Sequence, residues 1–486
     1  MMSVNGTQQS AVWQVGATAL LCAALTLTQA HAQNPTSATN PYYGSVTLKP
    51  ATDEVLQLSL DDAVRRGLDT NLGLKEVEAQ ELAIHSEQSQ ALQEFLPTIT
   101  LTGDTGFYQH NLAALGFGPG LIKSFLFLFP GGVIPPGLSF ITKDTLTEGQ
   151  LQYKQTLFSG PVIAGYRAAG AATRAAHFAK MSARGEVVQQ VASAYLHAIA
   201  AASEVDNARA LEQQDQLQLS HAHDEHVAGT ASNLDELRAR VQYQAQQQAR
   251  LVAENAAQKD LILLKREIGL DPGQKIVLSD RAPYSDLASQ TPEEVRAIAY
   301  KNRQDYQNFQ NQLVEYRAIH AAYRSQRLPT LSFSGNYGVQ NITGIGAHGT
   351  FAAVGTLSVP IFREAGLRGD IDASQAQLNA INSQLDDLRA KIDQQVRSAL
   401  LDVDAAGKLV EVSRSNVDLA TRELSDETER VHAGVDDTLP LVTAQASLAQ
   451  AQTTLVESLY QYNLSKLALA RAAGILEQQY RVYLGR

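Results

Sequence analysis

Val227-Ala228-Gly229-Thr230-Ala231-Ser232-Asn233-Leu234 recurs 205 residues later as His432-Ala433-Gly434-Val435-Asp436-Asp437-Thr438-Leu439. The same offset relates Lys265-Arg266-Glu267-Ile268-Gly269 to Ala470-Arg471-Ala472-Ala473-Gly474, so no insertion separates the two pairs. Further upstream, Glu94-Phe95-Leu96-Pro97-Thr98-Ile99-Thr100 is answered by Gln326-Arg327-Leu328-Pro329-Thr330-Leu331-Ser332. Duplication on this scale, rather than at a short solenoid period, predicts two copies of one topology packed side by side.

Working outward from the Gly turns, the chain reads as long helices. No proline falls between Pro161 and Pro272, nor between Pro360 and Pro440. A helix from Val162 to Ala228 would be about 100 Å long, and one from Glu364 to Ala433 nearly the same. Val187, Val191, Ala194, Tyr195 and Ile199 form a thin, Ala-rich apolar stripe at helical spacing. Gly229 and Gly434 stand where a helix ends in a left-handed residue. Asn233 with Glu236 suggests a capping box for the following helix. In the second copy Asp437 or Thr438 supplies the cap, and Pro440 fits the first turn. Shorter helices over Leu60–Glu94, Leu234–Gly269, Pro292–Arg327 and Leu439–Gly474 complete the copies. Each is about half the long one, so two stacked end to end predict an elongated bundle.

After each Leu-Pro-Thr the period changes to two. Ile99, Leu101, Gly103 and Phe107 alternate with Thr98, Thr100, Thr102 and Asp104; Leu331, Phe333, Gly335, Tyr337 and Val339 alternate with Thr330, Ser332, Ser334 and Asn336. Returning strands carry Leu151, Tyr153 and Leu157, and Phe351, Leu357 and Val359. Runs of about 10 residues fit tilted membrane-spanning strands. A single hairpin of this kind reads equally well as a soluble hairpin with one wet face. Four strands do not close a membrane barrel, which starts at about eight, so the membrane reading requires self-association; three chains supply twelve strands. The first hairpin also carries about 28 extra residues, counted from the alignment of the two copies, including the apolar insert between Phe117 and Phe140.

Bulk properties are consistent with this. Only 6% of the 486 residues are aromatic, which suits extended Ala/Gln/Leu-rich helices better than thick globular cores. A net charge of −11 without basic patches argues against a nucleic-acid partner. Val15–Leu27 is an apolar run closed by Ala30-His31-Ala32, which predicts an export signal over 1–32, although no Lys or Arg precedes it. The sole cysteine, Cys22, falls inside that run, and Leu21 before it is a poor fit for lipid attachment. The expected organisation is a signal peptide (1–32), an N-terminal extension (33–57), a first repeat (58–280), a second repeat (281–476) and a tail (477–486).

The order helix, hairpin, long helix, Gly turn, helix, twice over, resembles the TolC-like outer-membrane factors. Gly434-Val435-Asp436-Asp437-Thr438-Leu439-Pro440-Leu441-Val442-Thr443-Ala444-Gln445 is the most specific segment, and Ala228-Gly229-Thr230 through Asp235-Glu236-Leu237 is its first-repeat version. The resemblance implies a fold that is mostly α with a β-barrel part: a homotrimer with a 12-stranded barrel in outer-membrane lipid and an α-helical periplasmic tunnel. It also implies a passive efflux or type I secretion conduit, docked to a periplasmic adaptor protein and an inner-membrane transporter. Gly229, Thr230, Gly434 and Val435 would form the docking tip, and Asp235, Asp436 and Asp437 are candidate entrance-gate carboxylates. Where the family often has an aspartate two positions before the Gln, this chain has Thr443.

The alternative reading is a periplasmic coiled-coil structural protein of the cell envelope; two outward apolar strand rows speak against it. No phosphate loop, nucleophile elbow or His-Glu-x-x-His occurs, so neither an enzyme nor a cofactor is expected. In His221-Ala222-His223-Asp224-Glu225-His226, the pair His223 and His226 has metal-ligand spacing on a helix. The plainer reading is a solvated helix end whose imidazoles complement the dipole, and no metal site is assigned.

Overall fold

The computed structural model describes residues 41–46, 50–111, 124, 141–230, 232–280, 285–288, 290–343, 346–433 and 438–484. The apolar insert apart from residue 124, the export signal and residues 434–437 lie outside them. The described helices are α1 (Leu60–Thr70), α2 (Leu72–Gln93), α3 (Gly160–Val227), α4 (Asn233–Glu267), α5 (Pro292–Asn302), α6 (Gln304–Ser325), α7 (Glu364–His432), α8 (Thr438–Ala472) and α9 (Leu476–Tyr483). The strands are β1 (Leu56–Leu58), β2 (Thr98–Asn111), β3 (Ile141–Phe158), β4 (Ile276–Leu278), β5 (Thr330–Ile342) and β6 (Gly346–Ser358). None of the described helices is long and apolar enough to cross a membrane.

The chain divides into two compact units, one of residues 1–78, 180–304 and 391–486, the other of 79–179 and 305–390. The first contains most of the packed core. On α3, Val187, Val188, Val191, Ala192, Tyr195, Leu196, Ala198 and Ile199 are all buried. That surface is broader than the stripe read from the sequence, because α1, α4 and the β1–β4 pair also need covering. Ala194, expected at the centre of the stripe, is only half-buried. The Tyr195 hydroxyl lies 2.8 Å from both the Leu58 carbonyl and Asp280 Oδ2, and Asp280 also accepts the Leu60 N–H, tying β1 and α1 to α3.

Two expected helices are broken. Leu60–Glu94 is interrupted at Asn71 (φ −61°, ψ 129°), whose Oδ1 accepts the Leu74 N–H and whose Nδ2 donates to the Tyr42 carbonyl. Pro292–Arg327 is interrupted at Arg303 (φ −66°, ψ 120°). Both breaks meet a helix end carrying a left-handed Gly. A Cβ on Gly269 (φ +68°) would come within 2.6 Å of Thr70, and one on Gly474 (φ +74°) within 2.6 Å of the Arg303 backbone. The two copies thus share a joint in which a kinked helix touches bare glycine. The parallel pairing of β1 with β4 is a further element that three-residue strands do not announce in sequence.

In the second unit, β2, β3, β5 and β6 form one antiparallel sheet in the order β2-β3-β5-β6. The hairpins of the two copies join through β3 and β5, with one irregularity between Thr156 and Phe158. At 13 to 18 residues the strands are longer than expected. Among the described residues β2 and β6 each have a neighbour on one side only.

Candidate functional site

The sheet sorts most of its large side chains by face, with Tyr108, Leu146, Ile342 and Val354 on the otherwise polar one. Residues opposite one another in an antiparallel pair share a face. The register therefore puts Ile99, Leu101 and Phe107 on the same face as Leu151 and Tyr153, and these with Phe333, Tyr337, Val339, Phe351 and Leu357. The other face holds Thr98, Thr100, Thr102 and Asp104, then Glu148, Gln150, Gln152 and Lys154, then Ser334, Asn336 and Gln340. Among the described residues nothing covers the apolar face: Leu101 is 80% exposed, Phe351 75%, Phe107 70% and Tyr337 68%. Water does not tolerate so many aligned large apolar groups, and lipid does. The polar face is laced together instead. Asn336 Nδ2 donates to Gln150 Oε1 (2.9 Å), Gln150 Nε2 to Glu148 Oε2 (2.8 Å), and Gln152 Nε2 to Thr102 Oγ1 (3.1 Å).

At the first Gly turn, α3 ends as the sequence suggests. Gly229 has φ +75°; its N–H donates to the His226 carbonyl (3.0 Å) and the Thr230 N–H to the Glu225 carbonyl (2.9 Å), closing the carbonyls of the last turn. The cap of α4 is displaced by one residue from the expected Asn233/Glu236 pair. Ser232, with extended backbone, accepts from the Asp235 N–H, and Asp235 Oδ2 accepts from the Ser232 N–H. Both registers satisfy the capping-box spacing, and Glu236 is engaged elsewhere. It is buried, accepts from Arg240 (2.6 Å), and lies 3.2 Å from His223 and 4.0 Å from His226. His223 and His226 therefore converge on one carboxylate, and among the described residues no group of three His, Cys, Asp or Glu is placed to hold a metal ion.

Asp235 is half-buried, serves the cap, and lies 3.5 Å from Arg238. Gly434, Val435, Asp436 and Asp437 fall outside the described residues. Thr438 is the first residue of α8, with Pro440 in its first turn, and Thr443 is exposed.

Beside this turn α3, α4 and α8 enclose a small cavity, lined by Asp215 and Gln218, by Asp235, Arg238 and Gln242, and by Leu441, Val442 and Gln445. Asp215 is 3% exposed; burial raises its pKa to about 6, against the opposing pull of a hydrogen bond with Gln242. Gln445 is 4% exposed and its Oε1 has no hydrogen-bond donor. Sequence reasoning passed over this cluster, because an Asp among Gln residues on an Ala-rich helix looks like any solvated position.

The sequence profile described as outer membrane efflux protein matches residues 63–270 and 296–475. Among solved structures, a membrane protein from Pseudomonas aeruginosa superposes with TM-score 0.71 at 19% identity, over 85% of this chain and 93% of that one. The Campylobacter jejuni CmeC outer membrane channel gives 0.70 at 13% identity over 90% and 92%, and the Vibrio cholerae outer membrane protein VceC 0.68 at 16% over 85% and 96%. At these identities the likeness establishes the fold. Nodulation protein T of Rhizobium leguminosarum bv. trifolii is 22% identical over 174 residues, 35% of this chain and 37% of that relative's length.

Proposed function

This chain belongs to the outer membrane efflux protein family, and from that premise we propose that three copies assemble into a passive conduit of a tripartite efflux or type I secretion system. Its place in the outer membrane follows from the family, and the family match supports reading it as a channel component. The finer reading concerns assembly and partners. Three four-stranded sheets make a 12-stranded barrel with the Leu101/Phe351 face towards lipid and the Asn336/Gln150 face lining the lumen. The long helices of the two repeats (58–280 and 281–476) line a tunnel in the periplasm. Gly229, Thr230, Gly434 and Val435 meet the periplasmic adaptor protein, through which an inner-membrane transporter delivers substrate. Asp235, Asp436 and Asp437 are proposed to ring the entrance.

One observation carries this reading: a sheet with an uncovered apolar face and two unlike free edges. β2 and β6 run in opposite directions, so β6 of one copy meets β2 of the next antiparallel. Such a head-to-tail contact repeats round a ring until the sheet closes. Purified in detergent, the protein is expected to sediment as a trimer and to form conducting pores in planar bilayers. A stable, folded monomer in analytical ultracentrifugation would sink both barrel and tunnel.

A further inference from the structure

The cavity between α3, α4 and α8 contains a donor deficit. Asp215 and Gln445 are each more than nine-tenths buried and line the same space. Ionised, Asp215 is an acceptor only, and the Oε1 of Gln445 is another acceptor with nothing to accept. Leaving a buried acceptor unmatched beside a buried charge is costly. A proton on Asp215 would remove the buried charge and add a donor to the space that Gln445 Oε1 also lines, while the other carboxyl oxygen keeps its hydrogen bond with Gln242.

We propose that Asp215 is a proton-binding site which, when occupied, seals the α3–α4 hairpin against α8, and when empty loosens that contact. The charged groups lining the cavity do not replace the proton. On α4 these are Asp235 and Arg238, which lie 3.5 Å from each other; α3 contributes Gln218 besides Asp215, and α8 contributes Leu441, Val442 and Gln445, none of them charged. Because Asp215 is buried within a single chain, it stays buried however copies associate. The site joins a helix of the second repeat to the helical hairpin of the first, so its protonation couples the two repeats.

The direction follows from linkage. Burial lifts the carboxyl to about 6 from 3.8, so the closed contact holds the proton more tightly than a hydrated, opened one. Opening therefore becomes easier as pH rises from about 4 and levels off above about 6. Between pH 5 and 7.5 the local opening equilibrium is expected to increase about tenfold.

The test is hydrogen–deuterium exchange of the detergent-solubilised full-length protein between pH 5 and 7.5, corrected for intrinsic exchange and read in peptides from the first half of α8 and from α4. Wild type is expected to lose about tenfold protection as pH rises. Asp215→Asn and Asp215→Ala are expected to remove the pH step. Either folded variant suffices; a step that survives in it overturns the proposal. A flat wild-type profile also overturns it, and would mean that the Gln445 amide turns its NH2 towards an ionised Asp215. A step that tracks sodium concentration instead of pH would assign the cavity to a cation and overturn it equally. Conductance in planar bilayers tests the channel reading separately. Pores with a flat exchange profile refute the proton site alone, whereas an exchange step without pores leaves the site standing and refutes the conduit.

Discussion

At the scale of single residues, the sheet faces and one buried acid give the sharpest tests. Leu101→Arg or Phe333→Arg places a charge on the apolar row and is expected to cost about 2–4 kcal/mol per site near the bilayer midplane, threefold in a symmetric trimer. Ser334→Arg, on the polar face opposite Lys154, is expected to leave trimer yield unchanged on native gels. Equal tolerance of both substitutions would mean that the hairpins are not membrane strands. Glu267 is fully buried, takes a hydrogen bond from Gln190 (2.8 Å), and leaves Oε2 without a donor. Burial raises its pKa to about 7 from 4.5. The folded protein therefore retains a proton that the unfolded chain has lost, and stability falls as pH rises from about 4.5 to 7. Glu267→Gln should abolish that slope and stabilise the protein at pH 8 by about 1–3 kcal/mol. Thermal unfolding at pH 5 and pH 8 measures it; an unchanged slope in the variant would place the titrating group elsewhere.

At the scale of elements, the left-handed glycines differ in what surrounds them. Around Gly229 a Cβ would meet nothing within 4 Å, whereas at Gly474 it would strike the Arg303 backbone. Gly229→Ala should therefore cost only the left-handed conformation, about 1–2 kcal/mol. Gly474→Ala should cost clearly more, because a main chain cannot step aside as a side chain can. Comparable melting temperatures for the two variants would contradict the joint described here. Gly229→Val should distort the turn further; export is expected to fail while insertion into the outer membrane survives. Joint loss of both would show that the turn serves folding instead.

This contrast also marks what was legible in the sequence. Long proline-free stretches, the switch from helical to alternating period after Leu-Pro-Thr, and the Gly-centred turns each carry a local signal, and the helices, sheet and helix ends follow them. The break at Arg303 carries none, and the one at Asn71 carries only a capping residue, whose Oδ1 accepts the Leu74 N–H, inside an otherwise helical pattern; a left-handed Gly packs against each. Ser232/Asp235 and Asn233/Glu236 fit the same capping rule, and only the burial of Glu236 decides between them. Asp215 was invisible for a related reason. Which face of a helix its two neighbours will cover is a tertiary fact.

At the scale of the whole molecule, the proposed entrance ring can be tested by charge. Asp235 is already committed to its cap and to Arg238, so Asp235→Asn is expected to change the α4 terminus as well as any field it contributes. Asp436→Asn, measured beside it in planar bilayers, should reduce cation preference and sensitivity to divalent ions if these carboxylates face one axis. Two unchanged selectivities would leave closure to packing.

The two edges of the sheet also have a genetic consequence. Because β2 comes from the first copy and β6 from the second, in the proposed ring each chain gives one kind of edge and receives the other, and no pair of chains can satisfy itself. A chain able to offer β2 but with a blocked β6 would still enter rings and leave one seam unpaired in lipid. If intact and blocked chains were expressed equally and mixed at random, only about one trimer in eight would be free of a faulty seam. Loss-of-edge alleles in this protein should therefore be dominant, poisoning the product of a healthy gene, whereas alleles that prevent folding altogether should be recessive.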